Sequence, residues 1–125
     1  MEDNVTNNFV SFEDFVSLKN SMYVKKNIPK LGSVYIYKMS FQERLDFESA
    51  YPGKDGATLD IKSAEAMSSL IQLCVCDKNK RKIFHGDDRK KALLELEART
   101  FYFLLTACIN ENYLSLDSVD NLEKN

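Results

Sequence analysis

The 125-residue chain predicts a small single α+β domain, mainly helical, with one or two short β-hairpins. Three observations point there. Apolar residues recur at three- and four-residue steps through separate stretches, the last of them apolar almost all round from Phe101 to Ile109. Two short alternating runs, 22–28 and 33–39, flank a connection holding Pro29 and Gly32. Ser-x-x-Asp and Ser-x-x-Glu boxes stand at two helix starts, where a hydroxyl and a carboxylate satisfy amides of the first turn.

Residues 1–10 are polar at their start and are expected to fray. Ser11 and Asp14 make a capping box for a helix of about two turns, with Phe12, Phe15 and Val16 on one face. An antiparallel pair of strands follows. In the second strand Val34 and Ile36 point one way and Tyr35 and Tyr37 the other, while Lys25 and Lys26 guard a solvated face or edge. Ser40 and Glu43 box the next helix, which carries Phe41, Leu45 and Phe47 and ends at Pro52-Gly53. Lys54 to Thr58 reads as a loop. A helix starting near Asp60 or Ser63 bears the stripe Ala64, Met67, Leu70, Ile71 and Cys74.

Asp77-Lys78-Asn79-Lys80 reads as a hairpin turn with Asn79 at positive φ, and Lys82-Ile83-Phe84 as its return strand. Asp87 or Asp88 is expected to cap one long helix from about Arg89 to Ile109. Its seams are Leu94, Ala98, Phe101, Leu105 and Cys108, and beside them Leu93, Leu96, Leu104 and Ala107. Ser115 begins a short last helix with Leu116, Val119 and Leu122.

Composition narrows the function. A hydrophobic fraction of 44% and a charged fraction of 29% suit an ordinary globular domain, and a net charge of −2 argues against nucleic acid as a partner. No stretch is long and apolar enough to cross a bilayer, so no membrane partner is expected. The opening Met1-Glu2-Asp3-Asn4 does not resemble a secretory signal. Three cysteines, Cys74, Cys76 and Cys108, sit among apolar neighbours, which suits a reducing compartment.

The chemistry-bearing residues build no convincing site. Cys74, Cys76, His85 and Cys108 have the ligand types for zinc but not the usual structural spacing. His85 with Asp87 or Asp88 suggests a base and its orienting carboxylate, yet those aspartates fall where a helix needs its cap. No glycine-rich phosphate loop is present. The expectation is therefore no catalytic residue, no metal and no cofactor. Two features suit a protein partner. Lys78, Lys80, Arg81, Lys82, Arg89, Lys90 and Lys91 form a basic cluster fit to steer an acidic segment. Phe101, Leu104 and Leu105 lie in the apolar helix, which serves either a core or an association face.

The order of these pieces resembles the tail assembly chaperones of long-tailed phages, the lambda-like G-type tail assembly proteins. The residues that carry the resemblance are the Ser11 helix and the Pro29–Gly32 hairpin, then Met39, Ser40, Glu43, Arg44, Phe47 and Glu48. Asp77 through Phe84, Asp87, Leu114-Ser115 and the closing Glu123-Lys124-Asn125 complete it. The turn departs in having Asn79-Lys80 where a glycine is common. The resemblance covers residues 11–125 as one domain. It implies a non-catalytic, homo-oligomeric factor in the host bacterial cytoplasm that binds the tape measure protein, keeps it soluble, promotes tail tube polymerisation and is absent from the mature virion. It also implies a longer product made by frameshifting near Lys124-Asn125, through which the major tail tube protein would be contacted. The alternatives are a structural tail or head-tail connector component, and a small Cys/His metal-binding regulatory module.

Overall fold

The computed structural model describes residues 9–52, 63–112 and 114. Among them the elements run α1 (Phe12–Ser17), a 3-10 turn (Leu18–Ser21), β1 (Tyr23–Ile28), β2 (Gly32–Tyr37), α2 (Phe41–Ala50), α3 (Ala64–Cys74), β3 (Val75–Cys76), α4 (Asp87–Leu94) and α5 (Ala98–Glu111). This is the expected α+β class. The short last helix, the Lys54–Thr58 loop, Asp60 and residues 1–8 lie outside the described residues.

The three strands form one antiparallel sheet in the order β1-β2-β3. Lys30, at φ 68°, and Gly32, at φ 139°, turn the chain between β1 and β2, and Leu31 N–H donates to Ile28 O at 3.0 Å. Glycine suits its position because a side chain there would be strained. The register pairs Tyr23 with Tyr37 and Val24 with Ile36. Val24, Ile28, Val34, Ile36 and Val75 therefore share one face, and Tyr23, Tyr35, Tyr37 and Cys76 the other.

Helices α3 and α5 pack against each other, and both reach the sheet through β2. Between them lies the core of Ile28, Ile36, Phe47, Leu70, Ile71, Val75, Leu93, Leu104, Leu105 and Cys108, closed at one end by Leu114. Ser63 caps α3, its hydroxyl accepting from Ala66 N–H at 3.1 Å. Within the α3 stripe Leu70, Ile71 and Cys74 are buried and Met67 half-buried, but Ala64 is exposed. Tyr51 at the end of α2 meets Ser69 of α3 at 2.7 Å between hydroxyls.

Three local expectations are corrected. The long helix is two helices, interrupted at Glu95-Leu96-Glu97, where Glu97 takes an extended conformation (φ −54°, ψ 138°). No glycine or proline sits there; tertiary packing makes the break. It lets α4 bury Leu93 against α3 while α5 turns to cover both α3 and the sheet. Leu94, placed by pattern in the core seam, is left 51% exposed. Neither Asp87 nor Asp88 is the cap of α4. Gly86 holds that position at φ 93°, and the two aspartates sit in the first turn, where carboxylates favour the helix dipole. At the 77–81 turn the positive φ, 66°, belongs to Lys80 and not Asn79, and the return strand is reduced to a single bridge from Cys76 to Lys82. The Asp77 carboxylate explains the turn: it accepts from Asn79 N–H at 2.8 Å and Arg81 N–H at 3.0 Å, winding the chain back on itself.

Candidate functional site

The basic cluster is partly occupied within the fold. Lys80 lies over the rings of Tyr23 and Tyr35, 5.2 and 5.9 Å from their centroids. Arg89 donates to Ile83 O at 2.8 Å, and Lys90 pairs with Glu65 at 2.6 Å, which raises its pKa. Lys78, Arg81, Lys82 and Lys91 point their exposed side chains from the turn and from α4. The chosen apolar residues part company. Leu104 and Leu105 are 2% and 6% exposed, so their side chains build the core. Phe101 is half-buried and lines an open groove.

That groove encloses about 370 Å³ and is lined by Ala64 and Met67 of α3, Leu94 and Leu96 of the helix break, and Ala98, Phe101 and Tyr102 of α5. The break creates it. Were α4 and α5 one straight helix, Leu94 and Leu96 would not bend around the start of α3. Phe101 and Tyr102 stand edge to face, with centroids 5.8 Å apart. The sequence pattern reads Met67, Leu94 and Leu96 as stripe and seam residues of the core, not as a groove, and does not single out Tyr102. The one signal of a second apolar surface is the density of leucines at 93–96, which a single helical stripe cannot all bury.

The cysteines are packed as core atoms. Cys74 and Cys108 are fully buried side by side; the contact with Cys74 and burial together push the Cys108 thiol well up. Burial likewise raises Cys76, which lies on the tyrosine face of the sheet. Thiols held protonated in this way are poor nucleophiles. Among the described residues no three His, Cys, Asp or Glu side chains are grouped to hold a metal ion. His85 is exposed. Among the described residues no helix is long and apolar enough to cross a membrane.

Two polar devices lie away from the groove, at the start of α2 and at the end of α5. Tyr37 donates to Glu43 Oε1 at 2.5 Å, and the same oxygen accepts from Ser40 N–H at 2.9 Å. Burial acts to raise the Glu43 pKa, but these bonds, that of the Ser40 hydroxyl and the Lys82 charge outweigh it and hold the carboxyl below its usual range. Burial, the bond to Glu43 and its charge push the Tyr37 phenol up. The second device is Asn112. Its Oδ1 accepts from Met39 N–H at 2.7 Å, and its Nδ2 donates to Cys108 O at 3.0 Å, Tyr37 O at 3.2 Å and Cys74 Sγ at 3.6 Å. Arg44 donates to its backbone carbonyl at 3.0 Å.

No protein-family model matches the chain, and no curated protein or solved structure matches it.

Proposed function

We propose that the chain is a tail assembly chaperone of a long-tailed phage. It binds the tape measure protein, keeps that long helical protein soluble while the tail tube polymerises, and leaves before the virion is complete. It works in the host cytoplasm, as a homo-oligomer, by contact and not by catalysis. The observation that supports this is an open apolar groove on a domain whose own core is already closed. A long amphipathic protein exposed during assembly aggregates unless its apolar face is covered. A helix-lined groove takes such a face by admitting side chains spaced at one helical turn. The ordered resemblance from Ser11 onward names the partner. Lys91 stands one turn from Leu94 at the rim, and Lys78, Arg81 and Lys82 steer from the turn; charge so placed changes association rate more than affinity.

Co-expression with the tape measure protein tests this. The chaperone should raise its soluble yield and co-purify with it, and Tyr102→Glu should abolish both effects while the domain stays folded. An equally soluble tape measure protein without the chain, or the chain present as a stoichiometric part of purified particles, would refute the proposal. The second result would favour a structural tail component.

A further inference from the structure

We propose that two copies of this chain exchange N-terminal arms, with residues 9–17 of one copy seated in the Leu94–Tyr102 groove of the other. The exchange uses the groove that the proposed function gives to the tape measure protein, so the arm has to leave before that protein binds; its own test reads mass and needs no tape measure protein.

The arm begins the argument. Helix α1 has no buried residue, yet it is well formed. Ser11 N–H donates to the Asp14 carboxylate at 2.8 Å, the Ser11 hydroxyl accepts from Asp14 N–H at 3.2 Å, and Ser17 Oγ donates to Asp14 O at 2.8 Å. A helix of one and a half turns does not hold in water by itself; packing of an apolar face is what normally stabilises it. Its apolar face is complete: Phe12, Phe15 and Val16 fall on one side, and Phe9 and Val10 precede them. The rings of Phe9, Phe12 and Phe15 are 98%, 75% and 61% exposed. Such a face, on a helix fixed by its caps, is built to be covered.

The groove supplies a matching apolar surface on the same molecule, but its own arm is badly placed to use it. The base of the arm is tied to the far end of α5: Lys38 N–H donates to Met22 O at 2.6 Å, and the next amide, Met39 N–H, donates to Asn112. The groove lies at the start of α5, about 21 Å away along a helix of this length. The arm, α1 with its 3-10 turn, spans about 17 Å. Within one copy the arm does not cover its apolar face there: Phe12 and Phe15 stay 75% and 61% exposed. A second copy has no such tether.

The area suffices. At these exposures the three rings offer roughly 350–600 Å². If each groove loses as much area as the arm it takes, two arms in two grooves remove roughly 1,400–2,400 Å² from water, which reaches the range of a stable interface. The exchange is two-fold and closes on itself, as dimer contacts usually do. The rim is mixed in charge. Lys91 and Arg99 stand one turn from Leu94 and Tyr102 and offer partners to Glu13 and Asp14, while Glu95 and Glu97 sit in the break itself. The contact is therefore carried by apolar area. A membrane is a poor alternative cover, because the arm's first turn is acidic and anionic lipid attracts basic faces.

Sedimentation of the full chain at rising concentration tests the exchange. Wild type should be a dimer. Phe12→Glu/Phe15→Glu, which can accept an arm but not give one, should be monomeric. Leu94→Glu/Tyr102→Glu, which can give but not accept, should be monomeric too. An equimolar mixture of the two restores one of the two contacts, so at higher concentration than wild type needs it should recover a species of twice the chain mass. All four positions are exposed, so each variant should keep the wild-type circular dichroism. Should the groove pair unfold the domain, Tyr102→Glu alone replaces it. A nitroxide on Phe12→Cys should broaden Met67 and Leu96 methyl signals of a separately labelled second chain. A wild type that stays monomeric, a groove variant that stays dimeric, a mixture that stays monomeric, or broadening confined to one chain would each overturn the proposal.

Discussion

Asn112 offers the sharpest test of how the domain is held together. Its side chain is buried and joins the end of α5 to the end of α3, to β2 and to the segment before α2. Asn112→Ala removes the acceptor of Met39 N–H and the donor to Tyr37 O and Cys108 O. Each of these three bonds contributes about 1 kcal/mol net, and a buried amide left without an acceptor adds about 1 kcal/mol or more. The expected loss is about 3–4 kcal/mol, a large share of the roughly 5–15 kcal/mol that stabilises such a domain. Urea unfolding reads it as a drop of the midpoint with unchanged slope. Asn112→Asp separates polarity from donation. It keeps an acceptor for Met39 N–H, loses both donors and brings a charge into a buried site. The Asp pKa in the folded state should rise above its unfolded value, so the native state binds more protons and stability falls as pH rises. The Asp variant should therefore be at least as unstable as Ala at neutral pH and regain stability on acidification. An Ala variant within about 1 kcal/mol of wild type would refute the hub role.

Three further outcomes are expected. Ser40→Ala should cost about 1 kcal/mol in urea unfolding, since the hydroxyl accepts from Glu43 N–H at 3.1 Å. Leu93→Ala should cost about 2–5 kcal/mol and Leu94→Ala less than about 1, although the two are neighbours; equal losses would contradict the break at 95–97. Because the Glu43 pKa is lowered by folding, its contribution is present above the ordinary glutamate range and lost as pH falls through the folded value. Tyr37→Phe should flatten that acid-side decline in a series of melting temperatures.

Local chemistry was legible where the determinant lies within a few residues. The Ser11 and Ser40 caps, and the Val34/Ile36 and Tyr35/Tyr37 division of β2, are of this kind, while the start of α3 is narrowed only to Asp60 or Ser63. What failed was set at a distance. Nothing near Glu95–Glu97 breaks a helix; the need of Leu93 and Leu105 to reach one core from different directions does. The left-handed residue moved from Asn79 to Lys80 because Asp77 caps two amides and thereby fixes the length of the turn. Asn112 carries no motif, and its partners lie up to 75 residues away in sequence. The groove was invisible for the same reason: its walls meet only after the break has formed.

The sheet order also sets a sequence of events in time. Strands β1 and β2 are joined by a three-residue connection and can close as a hairpin in microseconds. Strand β3 comes about 40 residues later, and the longer loop makes its pairing with β2 the slower step. During that interval the second edge of β2, with Tyr35 and Ile36, has no neighbour. An unpaired edge is where chains join one another. The central strand thus makes the young chain most prone to aggregate at its middle, before α3 delivers Val75 and Cys76. Pulsed hydrogen exchange during refolding would show this as early protection of the β1–β2 amides and later protection at β3.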